Sequence, residues 1–177
     1  MLIRPDRINI YLMAGLLVLL AGGCTSPSKE DDKKTDKHVE SGLRLHLEVN
    51  PNPSGQSMRV NIGRSEPLSV NVDNVPFLTE LQVEKASVLD ALGGFGVLIE
   101  FNSDGAVLLE QYTGAYNGRR MAIAADFGQF RWIAAPVIRK RLAEGKLLFT
   151  PDLSREEAER FVTGLNRVAE LVRKGGK

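Results

Sequence analysis

Side chains able to do bond-making chemistry are few in this chain, and their spacing does not suit catalysis. Cys24 is the one thiol, and His38 and His46 are the only imidazoles. A structural zinc site takes four nitrogen or sulfur donors, and these three residues do not supply them. There is no G-x-S-x-G elbow, no phosphate-binding glycine loop and no H-E-x-x-H helix. Gly93, Gly94 and Gly96 have the wrong spacing for a dinucleotide fingerprint, and a strand rather than a helix follows them, so they read as turn glycines. Asp90 and Glu100 are the best carboxylate pair, and their position near a turn makes them ordinary exposed charges. No catalytic residue, metal ligand or cofactor is assigned.

Two stretches suit recognition instead. Tyr112, Tyr116, Arg119 and Arg120 gather at the end of a predicted helix, where cations also complement the helix dipole. Phe127, Phe130 and Trp132 crowd the next hairpin, and in alternating register Phe130 and Trp132 share a face. Burial is the ordinary fate of such aromatics, whereas an exposed pair suits an extended apolar peptide. These seven residues are the candidate partner-binding positions.

Cys24 has a different context. Arg4 and Arg7 precede an apolar run from Ile8 to Leu20, and Ala21-Gly22-Gly23 leads directly into the cysteine. A charged start, an apolar run shorter than the roughly 20 residues that span a bilayer, and small residues at the end form a secretory signal layout. Its ending resembles a bacterial lipobox, which implies cleavage after Gly23, diacylglycerol on the Cys24 thiol and an anchor in the membrane. Acyl chains contribute about 0.8 kcal/mol per buried methylene, so more than one chain holds firmly. Thr25 stands where Asp often signals inner-membrane retention. In a cell with two membranes, that points to the outer membrane, facing the periplasm.

Residues 1–23 thus read as a signal peptide, 24–42 as lipidated cysteine plus flexible tether, and 43–177 as one α+β domain. Without 1–23 the chain is formally neutral, and no stretch is one-sidedly basic, so nucleic acid is not an expected partner. The tether has one sizeable apolar residue, Val39, and cannot offset its ordering entropy.

The elements that must position the candidate residues follow from periodicity. Leu43, Leu45, Leu47 and Val49 alternate with Arg44, His46 and Glu48, which predicts a strand with His46 on its solvated face. Short strands are predicted over 58–62, 68–72 and 82–89, the last turning at Gly93-Gly94 into Val97, Ile99 and Phe101. Asn102, Ser103 and Asp104 offer caps to a helix ending at Asn117-Gly118. MAIAADF and FRWIAAPVI then form a hairpin about Gly128-Gln129. Val97 to Ile138 reads as a continuous β-α-β-β core, and a further strand covers 146–150. Ser154 and Glu157 make a capping box for a final helix whose stripe of Ala158, Phe161, Val162, Leu165, Val168, Ala169 and Val172 covers the sheet. The fold class is α+β: a mixed or antiparallel sheet with two helices packed on it.

PFLTE at 76–80, the text from Ile99 to Ile138, and FTPDLSREEA at 149–158 occur in an order and spacing that resembles the head of the first periplasmic domain of SecD, a membrane protein of the SecDF export family. The resemblance runs from Pro76 to Ala169. It implies a head that contacts polypeptide emerging from the translocon, with unfolded exported polypeptide or Sec machinery as partners. The transmembrane helices and their proton-carrying acids do not appear before Lys177, so proton-driven pulling is not carried over. The expected function is a lipid-anchored binding or accessory module of the cell envelope, not an enzyme. The alternative is a hydrolase or transferase on a borrowed fold.

Overall fold

The computed structural model describes residues 40–52 and 55–175. Among the described residues nine strands and two α-helices follow one another as β1 (Gly42–Leu47), β2 (Ser57–Ile62), β3 (Leu68–Asp73), β4 (Leu78–Thr79), β5 (Val83–Ala91), β6 (Gly94–Phe101), α1 (Ser103–Ala115), β7 (Met121–Asp126), β8 (Phe130–Ala134), β9 (Lys146–Phe149) and α2 (Arg155–Gly175). The expected α+β class holds, with all strand pairs antiparallel and distributed over three sheets: β4-β1-β7-β8, β5-β6-β9 and the hairpin β2-β3.

The expected β-α-β-β continuity is divided. β6 pairs with β5 and β9, whereas the β7-β8 hairpin pairs with β1. Helix α1 therefore carries the chain from one sheet to the other. It starts where the Asn102 Oδ1 accepts the Gly105 N–H at 2.9 Å. Gly105 packs closely against the turn before β5 and the end of β6: a Cβ there would lie 2.8 Å from the Gln82 Cβ and 2.9 Å from the Phe101 Cβ. No side chain fits without displacing one element.

Parity gives the four-stranded sheet two faces. Leu43, Leu45, Leu47, Met121, Ile123 and Ile133 point to the inner face and join one core with Val97, Ile99, Leu109, Phe127, Phe161 and Leu165. Both helices and the three-stranded sheet close that core. Helix α2 begins in the expected capping box, with the Glu157 N–H donating to Ser154 Oγ and the Ser154 N–H to Glu157 Oε2 at 2.7 Å. Asn166 on the same helix finishes an open edge: its side-chain amide accepts from the Ala86 N–H and donates to the Ala86 carbonyl, at 2.8 and 2.9 Å. One side chain thus stands in for a neighbouring strand at β5.

The outer face carries the second, smaller core. The hairpin β2-β3 lays Val60, Ile62, Val70 and Val72 on Ala122, with Trp132 packed at the side. Arg64 in the hairpin's turn ties it to the body through Glu157 at 2.8 Å, and Arg131 joins Asp152 at 3.0 Å and Glu157 at 3.3 Å. The Ser154 N–H and these cations hold the Glu157 carboxyl below its usual range.

His46 departs from expectation. It is buried rather than solvated, because the hairpin covers its face. Its Nδ1 lies 2.7 Å from the Asp73 carbonyl, which can only accept, so Nδ1 carries the proton. The ring meets Trp132 edge-on, 5.1 Å between centroids. Burial pushes the imidazole below its ordinary value, the Asp73 carbonyl opposes that shift and the Arg44 cation adds to it.

Candidate functional site

The sheet separates the seven candidate residues. Tyr112 stacks on Phe77 with centroids 4.3 Å apart and packs against the inner core; Tyr116 leans on it at 5.8 Å and is exposed. Arg119 donates to Asn50 Oδ1 at 3.1 Å, and Arg120 donates from its side chain to the Ala135 carbonyl at 3.0 Å and from its backbone to Glu48 Oε2 at 2.7 Å. Arg120 is thereby committed to holding neighbouring strands. Phe127 is 1% exposed and meets Phe161 edge-on, so it belongs to the core and offers a partner nothing. It continues the inward parity of Met121, Ile123 and Ala125 one residue past the end of β7.

Phe130 and Trp132 remain. They do share a face, as alternation requires, and that face is the outer one. Phe130 is 50% exposed while Trp132 is half-buried beside the hairpin, the rings edge-on at 6.0 Å.

Register explains what lies next to Phe130. It sits across from Asp126, which sits across from Gly42; one step along, Trp132, Ala124 and Arg44 line up, followed by Thr79. The hairpin covers the His46 and Ala122 end of this face and leaves the Gly42 and Asp126 end open. There a groove of about 530 Å³ is lined by Gly42, Arg44, Ala124 and Asp126, with Phe130 on one side and Leu81 and Val168 on the other. Strand β4 reaches only Leu78–Thr79, so the Leu43 N–H has no strand partner there and donates to Glu80 Oε2 at 3.1 Å. That bond fixes the Glu80 carboxylate at the groove.

Backbone pairing at the β8 edge, the other recognition mode such aromatics suggest, is partly pre-empted. The Asp152 N–H donates to the Ile133 carbonyl at 2.7 Å, and Arg131 donates to the Asp152 carbonyl at 2.8 Å. Side-chain contact in the groove is the freer route. Among the described residues no three His, Cys, Asp or Glu side chains converge as a metal site, and no helix is long and apolar enough to cross a membrane. Cys24, the signal-peptide stretch and nearly all of the tether lie outside the described residues.

Comparison with known proteins gives this arrangement its relatives. Residues 56–169 match the family described as SecDF, P1 head subdomain. No curated protein matches. Among solved structures, one of SecDF, a membrane component that enhances protein export, aligns with a TM-score of 0.56 at 21% identity, covering 85% of this chain and 76% of that one. A second, of SecDF in a super-membrane-facing form, aligns with a TM-score of 0.51 at 22% identity over 73% of this chain and 19% of that one. This chain therefore spans about a fifth of that second protein. The structural likenesses establish a shared fold, and the family match covers more than half of the sequence: the chain belongs to the SecDF P1 head subdomain family.

Proposed function

We propose that this protein is an envelope-anchored accessory of protein export that holds extended segments of exported polypeptide on the outer face of its four-stranded sheet. The observation that carries this reading is the exposed Phe130 beside an open groove, next to a half-buried Trp132. An aromatic ring beside a concavity gives an apolar side chain of a bound segment a surface to pack on. Family membership supplies the export context. The groove is shallow and half of its lining is polar or charged, so binding tolerant of many sequences is expected, with dissociation constants of micromolar or weaker, about 8 kcal/mol or less.

Trp132 is the only tryptophan in the chain, so its fluorescence reports on the site directly. Titrating a reduced and alkylated, permanently unfolded polypeptide into the full chain should shift the emission saturably, and Phe130→Ala should weaken that response while the chain stays folded. No response at high micromolar concentration would remove the client-binding reading in favour of a specific folded partner. Anchoring through Cys24 is part of the same proposal. Cys24→Ser should abolish labelling by fatty acid and leave the precursor uncleaved; unchanged labelling would refute the anchor.

A further inference from the structure

The three-stranded sheet has two edges, and the chain treats them differently. Hydrogen bonds alternate along an antiparallel ladder, and the Phe101 N–H donates to the Gly145 carbonyl at 2.9 Å. On the central strand β6, Val97 and Ile99 therefore also turn their backbone groups to β9, while Leu98 and Glu100 turn theirs to β5. Ala86 on β5 faces away from β6, and Asn166 of α2 takes up both its N–H and its carbonyl. On β9 it is Lys146 and Leu148 that face away. No strand lies on that side, and among the described residues no loop backbone or side chain takes up their N–H and C=O groups.

The β9 edge is also unguarded. Side chains commonly protect such edges from pairing with another chain, but here they lean the other way. The Lys146 ammonium reaches the Glu100 carboxylate on β6 at 3.1 Å. Leu148, 60% exposed, lies back over Gly96, where a Cβ would come within 3.1 Å of its Cδ1. Leu147 and Phe149 point into the core. What the edge presents is bare backbone, with donors and acceptors repeating every second residue, and the chemistry that matches this is another extended backbone.

We propose that β9 takes up an extended polypeptide segment as a fourth strand of this sheet. Two cross-strand rows on the outer surface set its side-chain preference: Ser87, Leu98 and Leu148 in one, Lys85, Glu100 and Lys146 in the other. The added strand continues both, with an apolar residue beside Leu148 and an acidic one beside Lys146. This site lies on the other sheet and does not rest on the Phe130 groove.

The test uses the full chain, labelled with ¹⁵N, and a ten-residue peptide of alternating valine and threonine with a glutamate at each end. Titration should shift the Lys146 and Leu148 amide signals and slow their hydrogen exchange, and should leave Ala86 unmoved. A peptide N-methylated at two adjacent central residues has neither edge free to pair, and it should bind roughly tenfold or more weakly, as expected when more than one hydrogen bond is lost. Leu148→Pro removes an N–H that β6 does not use, in the orientation that edge strands tolerate, so the melting temperature should stay near that of the unaltered protein while peptide binding is lost. Leu148→Thr keeps the backbone and should keep binding. Should Leu148→Pro not fold, the methylated peptide decides the matter on the unaltered protein. Equal binding of the two peptides, or protection of Lys146 and Leu148 that grows with protein concentration in the absence of peptide and so marks a second copy of this chain, would overturn the proposal. Phe130→Ala should leave these amide shifts unchanged; their loss would overturn a separate site at β9 and leave the groove reading intact.

Discussion

The two faces of the four-stranded sheet are built from the same strands and do opposite things. On the inner face Leu43, Leu45, Leu47, Met121 and Ile123 meet two helices and a second sheet in one apolar core, with the half-buried Arg131 at its margin. The outer face places His46, Arg44, Gly42 and Asp126 among alanines, covers half of itself with a two-stranded hairpin, and leaves the rest open beside Phe130. Stability therefore resides mainly on one side and recognition on the other. Substitutions on the inner face should unfold the protein before they alter binding, and substitutions at the open end of the outer face should alter binding in a protein that stays folded.

The largest expected effect lies in the inner core. Phe161→Ala and Leu165→Ala, both at 0% exposure, should each cost about 2 to 5 kcal/mol by leaving cavities. Urea midpoints measure this, and a midpoint that hardly moved would mean that α2 is peripheral. Gly105→Ala should follow at about 1 to 3 kcal/mol, since the added carbon meets the Gln82 and Phe101 Cβ atoms and α1 must shift.

The covered half of the outer face should respond to acid. Because the folded state holds His46 below its ordinary value, the unfolded chain binds more protons once pH falls below about 6.5, so stability present above that pH is lost progressively below it. Arg44 beside it on β1 reinforces this, and Asp73 on the hairpin opposes it. Glu157 acts in a separate window. Its depressed carboxyl contributes stability above the ordinary carboxylate value that disappears as pH falls through its folded one. Denaturant midpoints measured between pH 7.5 and 5.5 should fall, and His46→Gln should flatten that slope; a slope unchanged by the substitution would show that the hairpin does not bury a titrating group.

Much of this was readable beforehand, and the failures share a cause. Strand parity on β1, the hairpin about Gly128-Gln129 and the Ser154–Glu157 box all follow from local patterns, and each has the expected form. The burial of His46 depends on which distant element lies over it, and parity within β1 is silent about that. A signal was present elsewhere. MAIAA in β7 has no polar residue on either face, a pattern that in a strand means both faces are covered, and the apolar stripe of Val60, Ile62, Val70 and Val72 needed a surface to cover. Together they call for a lid over Ala122 and hence over its neighbour His46. The division of Val97 to Ile138 between two sheets was equally out of reach, because β6 and β7 each look like a buried strand and only long-range pairing assigns their partners. At the candidate site, alternation puts Phe130 and Trp132 on one face, but burial is the expected fate of both rings and Phe130 is half exposed instead. The groove was not readable, because Gly42, Glu80 and Asp126 are far apart in sequence and meet only through strand register.

The smallest effect on stability should come from Phe130→Ala. With its ring half exposed, the stability stays within about 0.5 kcal/mol of the unaltered protein, which makes position 130 suitable for the most direct test of where a client binds. A photoreactive phenylalanine analogue at Phe130 on the outer face, and in a second variant at Tyr116 on the inner side, would be illuminated with an unfolded polypeptide present. Strong crosslinking is expected from position 130, weakened by added unlabelled polypeptide, and little from position 116. Crosslinking from position 116 alone, or equally from both, would contradict the assignment of recognition to the open end of the outer face.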